Sequence, residues 1–310
     1  MSHTLPVICI CGPTASGKSA VGFALAERLQ GEVISADAMA VYRGMDIGTA
    51  KPTAAEAGST PVHLIDVVEP DEPFTVAEFQ QRALQCVREI RRRGRQPIIV
   101  GGTGLYVRAL LDGYVIPPTD PSGALRDSLR ARLRKEGVAR LHAELAQRDP
   151  EQAAHTHPND AVRILRALEI CLLTGRTCAE ARHASPHPDV TPSVRIGLAI
   201  ERETLYERID RRVCQMVQAG WLDEVDRLLA SGYNVNAPGM RSLGYREIVQ
   251  VLQGELSVVE AIARIQQQTR RFAKRQLTWF RADPAVVWIN AQAEPSTTAA
   301  LVEALVQQAC

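Results

Sequence analysis

The chain has 310 residues, 45% hydrophobic and 23% charged, with a formal net charge of +1, the profile of an ordinary soluble enzyme long enough for about two domains. It has no apolar run of ~18 residues and no charged-then-apolar leader, so neither a membrane span nor secretion is implied and a cytoplasmic protein is expected. The seven cysteines (9, 11, 86, 171, 178, 214 and 310) form no C-x-x-C pair and have no spaced histidine partners, which speaks against zinc and for reduced thiols.

The first predicted element is a buried strand, Val7–Cys11, in which Cys9 and Cys11 alternate with Ile8 and Ile10 as small core residues. It runs into Gly12-Pro13-Thr14-Ala15-Ser16-Gly17-Lys18-Ser19, which is G-x-x-x-x-G-K-[ST]. An amphipathic helix, Lys18–Leu29, follows. Strand, glycine loop and helix N-terminus together make a nest of inward N–H groups that binds phosphates. Lys18 adds positive charge, and the Ser19 hydroxyl is the candidate ligand for Mg²⁺. The motif does not separate a nucleotide from another phosphorylated ligand.

Further strands are predicted at Glu32–Ala36, Val62–Ile65 and Pro97–Val100, and helices at Val76–Arg92 and Leu105–Asp112. This alternation argues for α/β architecture, a parallel sheet with helices on both faces and ligands at the carboxyl ends of its strands. A proline-rich stretch, 114–121, breaks the pattern, and from Ala124 to about Ala181 every segment reads as helix. A helical insertion domain at 121–189 is therefore expected within a core of 1–120 and 190–310. His183–Pro192 closes it, and Val194–Ile200 returns as a strand. Helices at Arg202–Ala219, Leu222–Ser231 and Val258–Trp279, a strand at Ala285–Ile289 and a helix at Thr297–Gln308 complete the core.

Four places could carry chemistry. Asp37 ends the second strand, next to the phosphate loop, where its carboxylate either binds Mg²⁺ or takes a proton from a nucleophile, or else is a helix N-cap. The polar segment 41–52 has no clear period and reads as a binding loop. Gly101-Gly102-Thr103-Gly104 is a second glycine-rich turn, with Thr103 at a helix start. Asp66 is placed like a Walker-B carboxylate. Beyond these, Arg264–Arg281 carries Arg264, Arg270, Arg271, Lys274, Arg275 and Arg281 and no acid. Its inward stripe is read as Ile265, Phe272, Leu277 and Phe280. A one-signed face suits a phosphodiester backbone better than a solvated helix, which usually mixes signs. Arg91-Arg92-Arg93 is less telling, since arginines suit a helix C-terminus.

Taken in order, these segments resemble the tRNA dimethylallyltransferase (tRNA isopentenyltransferase) family, bacterial type. The resemblance covers nearly the whole chain: GPTASGKS at 12–19, ISAD at 34–37, VYRGMDIGTAKP at 41–52, HLID at 63–66, GGTGLY at 101–106, HPND at 157–160, RALEI at 166–170, LGYRE at 243–247 and KRQLTWFR at 274–281. It implies a P-loop NTPase-like fold. It also implies transfer of a dimethylallyl group from dimethylallyl diphosphate to N6 of the adenosine 3′ of the anticodon, with Mg²⁺ as cofactor and the tRNA anticodon stem-loop as partner. On this reading residues 12–19 hold a diphosphate leaving group rather than ATP.

The resemblance further implies roles. Lys18, Asp37 and Thr103 are the expected catalytic residues, with Arg208 and Arg212 as candidate diphosphate clamps. Expected on the tRNA side are Asp37, Ala38, Met39, Ala40, Thr103, Arg126, Val162, Arg163, Ile164, Leu165, Arg166, Arg241, Gly244, Tyr245, Arg246, Lys274, Arg275, Gln276, Trp279 and Arg281. The chain departs from the family's usual Asp-Ser-x-Gln at Asp37-Ala38-Met39-Ala40, has Ser19 where Thr is usual and Arg108 where Lys is common, and carries no C-terminal zinc finger. The alternatives are a P-loop kinase of a small metabolite or nucleoside and a nucleotide-gated RNA-binding module without chemistry.

Overall fold

The computed structural model describes residues 5–114, 116–120, 122–181 and 187–309. Pro121, where the insertion was expected to begin, and residues 182–186 of the closing stretch lie outside them, as does Cys310. The chain divides into two compact units, 1–111 with 187–310, and 112–186. The second unit thus starts ahead of the expected 121 and ends before 189.

The first unit is built on a six-stranded parallel sheet of order β3-β2-β4-β1-β5-β6. Its strands are β1 (Val7–Cys11), β2 (Gly31–Ser35), β3 (Val62–His63), β4 (Gln96–Gly101), β5 (Ser193–Ala199) and β6 (Val286–Asn290). The alternation read from β1 sorts its side chains by face. Val7, Cys9 and Cys11 pack with Phe79, Val87 and Ile90 of α3 (Val76–Arg92) and with Tyr106 and Leu110 of α4 (Gly104–Leu111). Ile8 and Ile10 pack with Val21 and Leu25 of α1 (Lys18–Leu29) and with Val302 of α14 (Pro295–Ala309). Both faces are covered, so the central strand β1 is apolar throughout, while β2, β4 and β5 each carry one buried polar residue, Glu32, Gln96 and Arg195; each fully buried Ile or Val contributes roughly 1.5–3 kcal/mol.

Three elements differ from the reading of the sequence. The third strand stops at His63 because Leu64 and Asp66 adopt left-handed backbone, φ 62° and 53°. Two helices were not anticipated, α2 (Ala54–Ala57) and α12 (Tyr245–Leu252). The apolar spacing of Tyr245, Ile248, Val249 and Leu252 was the available signal for α12.

A helical layer completes this unit: α10 (Arg202–Gln218), α11 (Trp221–Ala230), α12 and α13 (Val258–Arg281). Its core gathers Trp221, Val225, Tyr245, Ile248 and Ile265 against Val41, Tyr42 and Met45 of the 41–52 loop. The second unit is helical, with α5 (Ala124–Glu136), α6 (Val138–Arg148), α7 (Pro150–Ala154), α8 (Ala161–Thr174) and α9 (Cys178–Ala181) packed around Leu129, Leu141, Leu145, Ile164 and Leu168. No helix among the described residues is long and apolar enough to cross a membrane.

Candidate active site

The phosphate loop leaves β1 near the middle of the sheet and curls through three left-handed residues, Gly12 (φ 139°), Ala15 (φ 62°) and Gly17 (φ 89°). A side chain at Gly12 would press on the Leu198 carbonyl at 3.2 Å, so glycine is required for approach as well as for backbone conformation. Ser16 is buried and its hydroxyl has no hydrogen-bond partner among the described residues, an orphan that an oxyanion would satisfy. The Lys18 ammonium folds back over the loop and donates to the Pro13 carbonyl at 2.6 Å. Burial lowers its pKa to about 8; the positive Arg212 pushes the same way, and the Asp37 carboxylate opposes.

Arg212, on α10, reaches this loop from the side. Its guanidinium donates to Thr14 Oγ1 and to the Ala50 carbonyl, both at 3.4 Å, and burial holds its pKa below the usual arginine value. Arg208 lies four residues earlier, on the same helical face. Ser19, on the first turn of α1, lines with Arg212, Phe23, Pro52 and Glu56 a cavity of about 530 Å³. A hydroxyl placed there fits the one-protein-ligand pattern by which Mg²⁺ is held alongside phosphate oxygens and water.

Asp37 and Thr103 sit on neighbouring strand ends, after β2 and β4, and are pinned together. Thr103 N–H donates to the Ala36 carbonyl at 3.2 Å, and Thr103 Oγ1 accepts from Ala38 N–H at 3.0 Å. Asp37 Oδ1 accepts from Met39 N–H at 2.8 Å and Ala40 N–H at 3.4 Å. One carboxylate oxygen therefore caps the 38–40 turn, and among the described residues Oδ2 has no hydrogen-bond partner.

Several of the residues singled out in the sequence are engaged within the protein. Asp66 is no Walker-B carboxylate: its oxygen receives a 2.5 Å bond from Lys51, a buried ammonium that also binds Asp46 Oδ1 at 2.6 Å and the Tyr42 carbonyl at 2.8 Å. Gln276 is buried, with both ends of its amide taken by the two glycine-rich turns: it accepts from Thr14 N–H at 2.8 Å and donates to the Gly102 carbonyl at 2.9 Å. Tyr245 is fully buried and donates its hydroxyl to Glu224 at 2.7 Å, while Gly244, at φ 92°, is packed on the Trp221 ring. Ala40 is buried, with Ala38 and Met39 half-buried. On α13, Ile265 and Phe280 face inward as expected, but Phe272 is exposed beneath the Arg275 guanidinium.

Among the exposed residues of α13 are Arg264, Arg271, Lys274, Arg275, Trp279 and Arg281; Arg270 is tied to Asp210. Arg241 and Arg246 are also exposed, Arg241 donating to the Asn236 carbonyl. In the second unit, Ile164 is core, Leu165 is half-buried, and Val162 and Arg163 are exposed. Arg126 and Arg166 converge there on the buried Glu169, at 2.9 Å each. That unit also holds the one metal-compatible cluster among the described residues, Asp149–Cys171–Cys178. The Asp149 oxygens are engaged there by the backbone N–H groups of Gln152 and Cys178.

Sequence reasoning missed Glu224. Buried on α11, it accepts from the backbone N–H groups of Asp46, Ile47 and Gly48 as well as from Tyr245. It is the cap that shapes the 41–52 loop. A carboxylate one turn into an amphipathic helix looks like any solvated acid, so spacing carries no warning of it.

A glycine-rich loop between strand and helix, with a carboxylate and a hydroxyl fixed on adjacent strand ends, defines a P-loop-like α/β protein with a candidate phosphate site at the carboxyl edge of its sheet. Residues 40–283 match the family model described as IPP transferase. The chain is 49% identical over 288 residues to a tRNA dimethylallyltransferase of Desulfitobacterium hafniense, covering 92% of this chain and 91% of that one. It resembles the structure of the full-length tRNA isopentenylpyrophosphate transferase of Bacillus halodurans, with TM-score 0.70 and 41% identity over 98% and 97% of the two chains. A eukaryotic dimethylallyltransferase described as acting on tRNA matches with TM-score 0.82 and 27% identity, covering 97% of this chain and 78% of that one. The chain belongs to the IPP transferase family as a prenyltransferase of the tRNA dimethylallyltransferase type, not a small-molecule kinase.

Proposed function

We propose that the protein transfers a dimethylallyl group from dimethylallyl diphosphate to N6 of the adenosine 3′-adjacent to the anticodon, releasing diphosphate. The observation that carries this reading is the pairing of a phosphate nest at Gly12–Ser19 with an acid–hydroxyl wall, Asp37 and Thr103, on the next strand ends. The relatives' names supply the acceptor class and the prenyl chemistry.

The C–O bond to diphosphate breaks as N6 forms its bond to the allylic carbon, so negative charge grows on the leaving group and positive charge on the allyl unit. Lys18, Arg212 and the loop N–H groups meet the growing negative charge, where fixed donors are most effective. Mg²⁺ held on Ser19 would neutralise diphosphate oxygens. Asp37 Oδ2 takes the N6 proton, or holds the amine for attack, while Oδ1 keeps the turn in place. Thr103 fixes that turn through Ala38. The adenine has to leave its stack to reach the wall. Arg241, Arg246 and the outward cations of α13 grip anticodon stem-loop phosphates, and Arg126, Arg163 and Arg166 are assigned the same role in the second unit. Cytoplasm, where tRNA is found, is the proposed compartment.

The decisive experiment incubates the protein with tRNA and labelled dimethylallyl diphosphate. Label retained in the RNA, mapping to one adenosine next to the anticodon, is the expected result. Label absent from RNA, with phosphoryl transfer from ATP to a small molecule instead, overturns it.

A further inference from the structure

Helix α13 carries a buried polar side chain beneath its charged face. Its outer face presents Arg271, Lys274 and Arg275, but the residue next along, Gln276, points inward, 7% exposed, between Ala273 and Phe280, which are 0% and 1% exposed. A side chain buried on the inner face of a helix has no route to a phosphodiester backbone on the outer one. Its amide is instead matched to two backbone groups more than 170 residues away in sequence, donated to by Thr14 N–H and donating to the Gly102 carbonyl. The fit is close on both sides. A methyl group added at Gly102 would lie 2.3 Å from Gln276 Nε2, so the second glycine turn is bare where the amide seats.

The consequence falls on the phosphate loop. Loop N–H groups of a nest normally face the anion. The Thr14 N–H is turned away to Gln276, and this fixes the curl that aims the remaining amides. We propose that Gln276 is a positioning residue of the donor site, not an RNA ligand: its amide clamps the 12–19 loop to the 101–104 turn and so sets the geometry in which diphosphate is held. The proposal rests on the prenyl-transfer reading above and deepens it.

Only an amide of this length serves both partners. Leucine of similar size leaves the Thr14 N–H and the Gly102 carbonyl unmet in a buried place. Glutamate keeps the acceptor for Thr14 and loses the donor to Gly102. The test measures steady-state kinetics of the full chain with tRNA and dimethylallyl diphosphate, together with tRNA binding across a salt series, for Gln276→Leu, Gln276→Glu and Gly102→Ala. The expected result is a rise of about tenfold or more in donor KM for Gln276→Leu and Gly102→Ala, and a smaller rise for Gln276→Glu. tRNA affinity and its salt slope should stay within about twofold of the parent. Circular dichroism and melting curves identify a variant that fails to fold; Gly102→Ala, which displaces the same amide from the opposite side, then carries the comparison. Weakened tRNA binding with a flatter salt slope and unchanged donor KM returns Gln276 to the RNA surface and overturns the proposal, as does a set of variants indistinguishable from the parent. Absence of prenyl transfer by the parent protein is a separate result, and it strikes the functional reading rather than this one.

Discussion

At the scale of single residues, burial holds the Lys18 ammonium at a pKa of about 8, with the positive Arg212 pushing the same way. Because the folded pKa lies below the ordinary 10.5, the fold pays a proton penalty below pH 8 that is relieved as pH rises toward 10.5. Donor binding runs the opposite way, since diphosphate needs the charged ammonium. We expect kcat/KM for the donor to fall as pH rises through about 8, by up to tenfold per pH unit, while overall stability does not fall with it. A flat kcat/KM profile from pH 7 to 9.5 would remove Lys18 from donor binding. For Asp37, the sequence left proton acceptor and cap unresolved, and the structure shows that the cap uses only Oδ1. Asp37→Asn keeps an oxygen for Met39 N–H and removes the base, so kcat should drop by ~10²–10⁴ with little change in melting temperature. Prenyl transfer at the parental rate in Asp37→Asn would leave Asp37 as a cap alone.

At the scale of elements, β1, its loop and α1 were legible because a short apolar run, a glycine motif and a 3.6-residue period all fall within thirty residues. The third strand was legible in its position but not in its end, because the left-handed Leu64 and Asp66 that stop it answer to tertiary contacts such as the Lys51–Asp66 pair. Helix α13 was legible in charge and only partly in packing. Its one-signed run was visible, but Phe272 looked like core until the structure showed it exposed beneath Arg275. Exposed cations with no carboxylate partner among the described residues, Lys274 and Arg275 here, release counterions when they meet phosphate. The double variant Lys274→Ala, Arg275→Ala should therefore weaken tRNA binding and reduce the slope of log K against log salt by roughly 1.4–1.8. The measurement is a filter-binding or fluorescence titration at several salt concentrations. An unaltered slope would mean that these cations face solvent rather than RNA.

At the scale of the whole molecule, what the sequence could not disclose is which distant segments meet. Thr14 finds Gln276, and the amides of 46–48 find Glu224, across separations that no local period records. The motifs named the parts of the site, and these buried polar side chains decide how the parts are held. Glu224 shows the difference most clearly, because its four partners are all donors. Glu224→Gln keeps size and shape but turns an NH₂ group toward N–H donors, leaving at least one buried donor unmet, at a cost of ~1–3 kcal/mol. The 41–52 loop, which also supplies the Ala50 carbonyl to Arg212, should then open locally without global unfolding. Amide hydrogen exchange at Asp46, Ile47 and Gly48 should accelerate about tenfold or more in Glu224→Gln, while amides of β1 and β4 keep their protection. Equal protection at 46–48 in both proteins would show that the loop is held by the Lys51 pairs with Asp46 and Asp66, and that Glu224 merely fills the space beneath it.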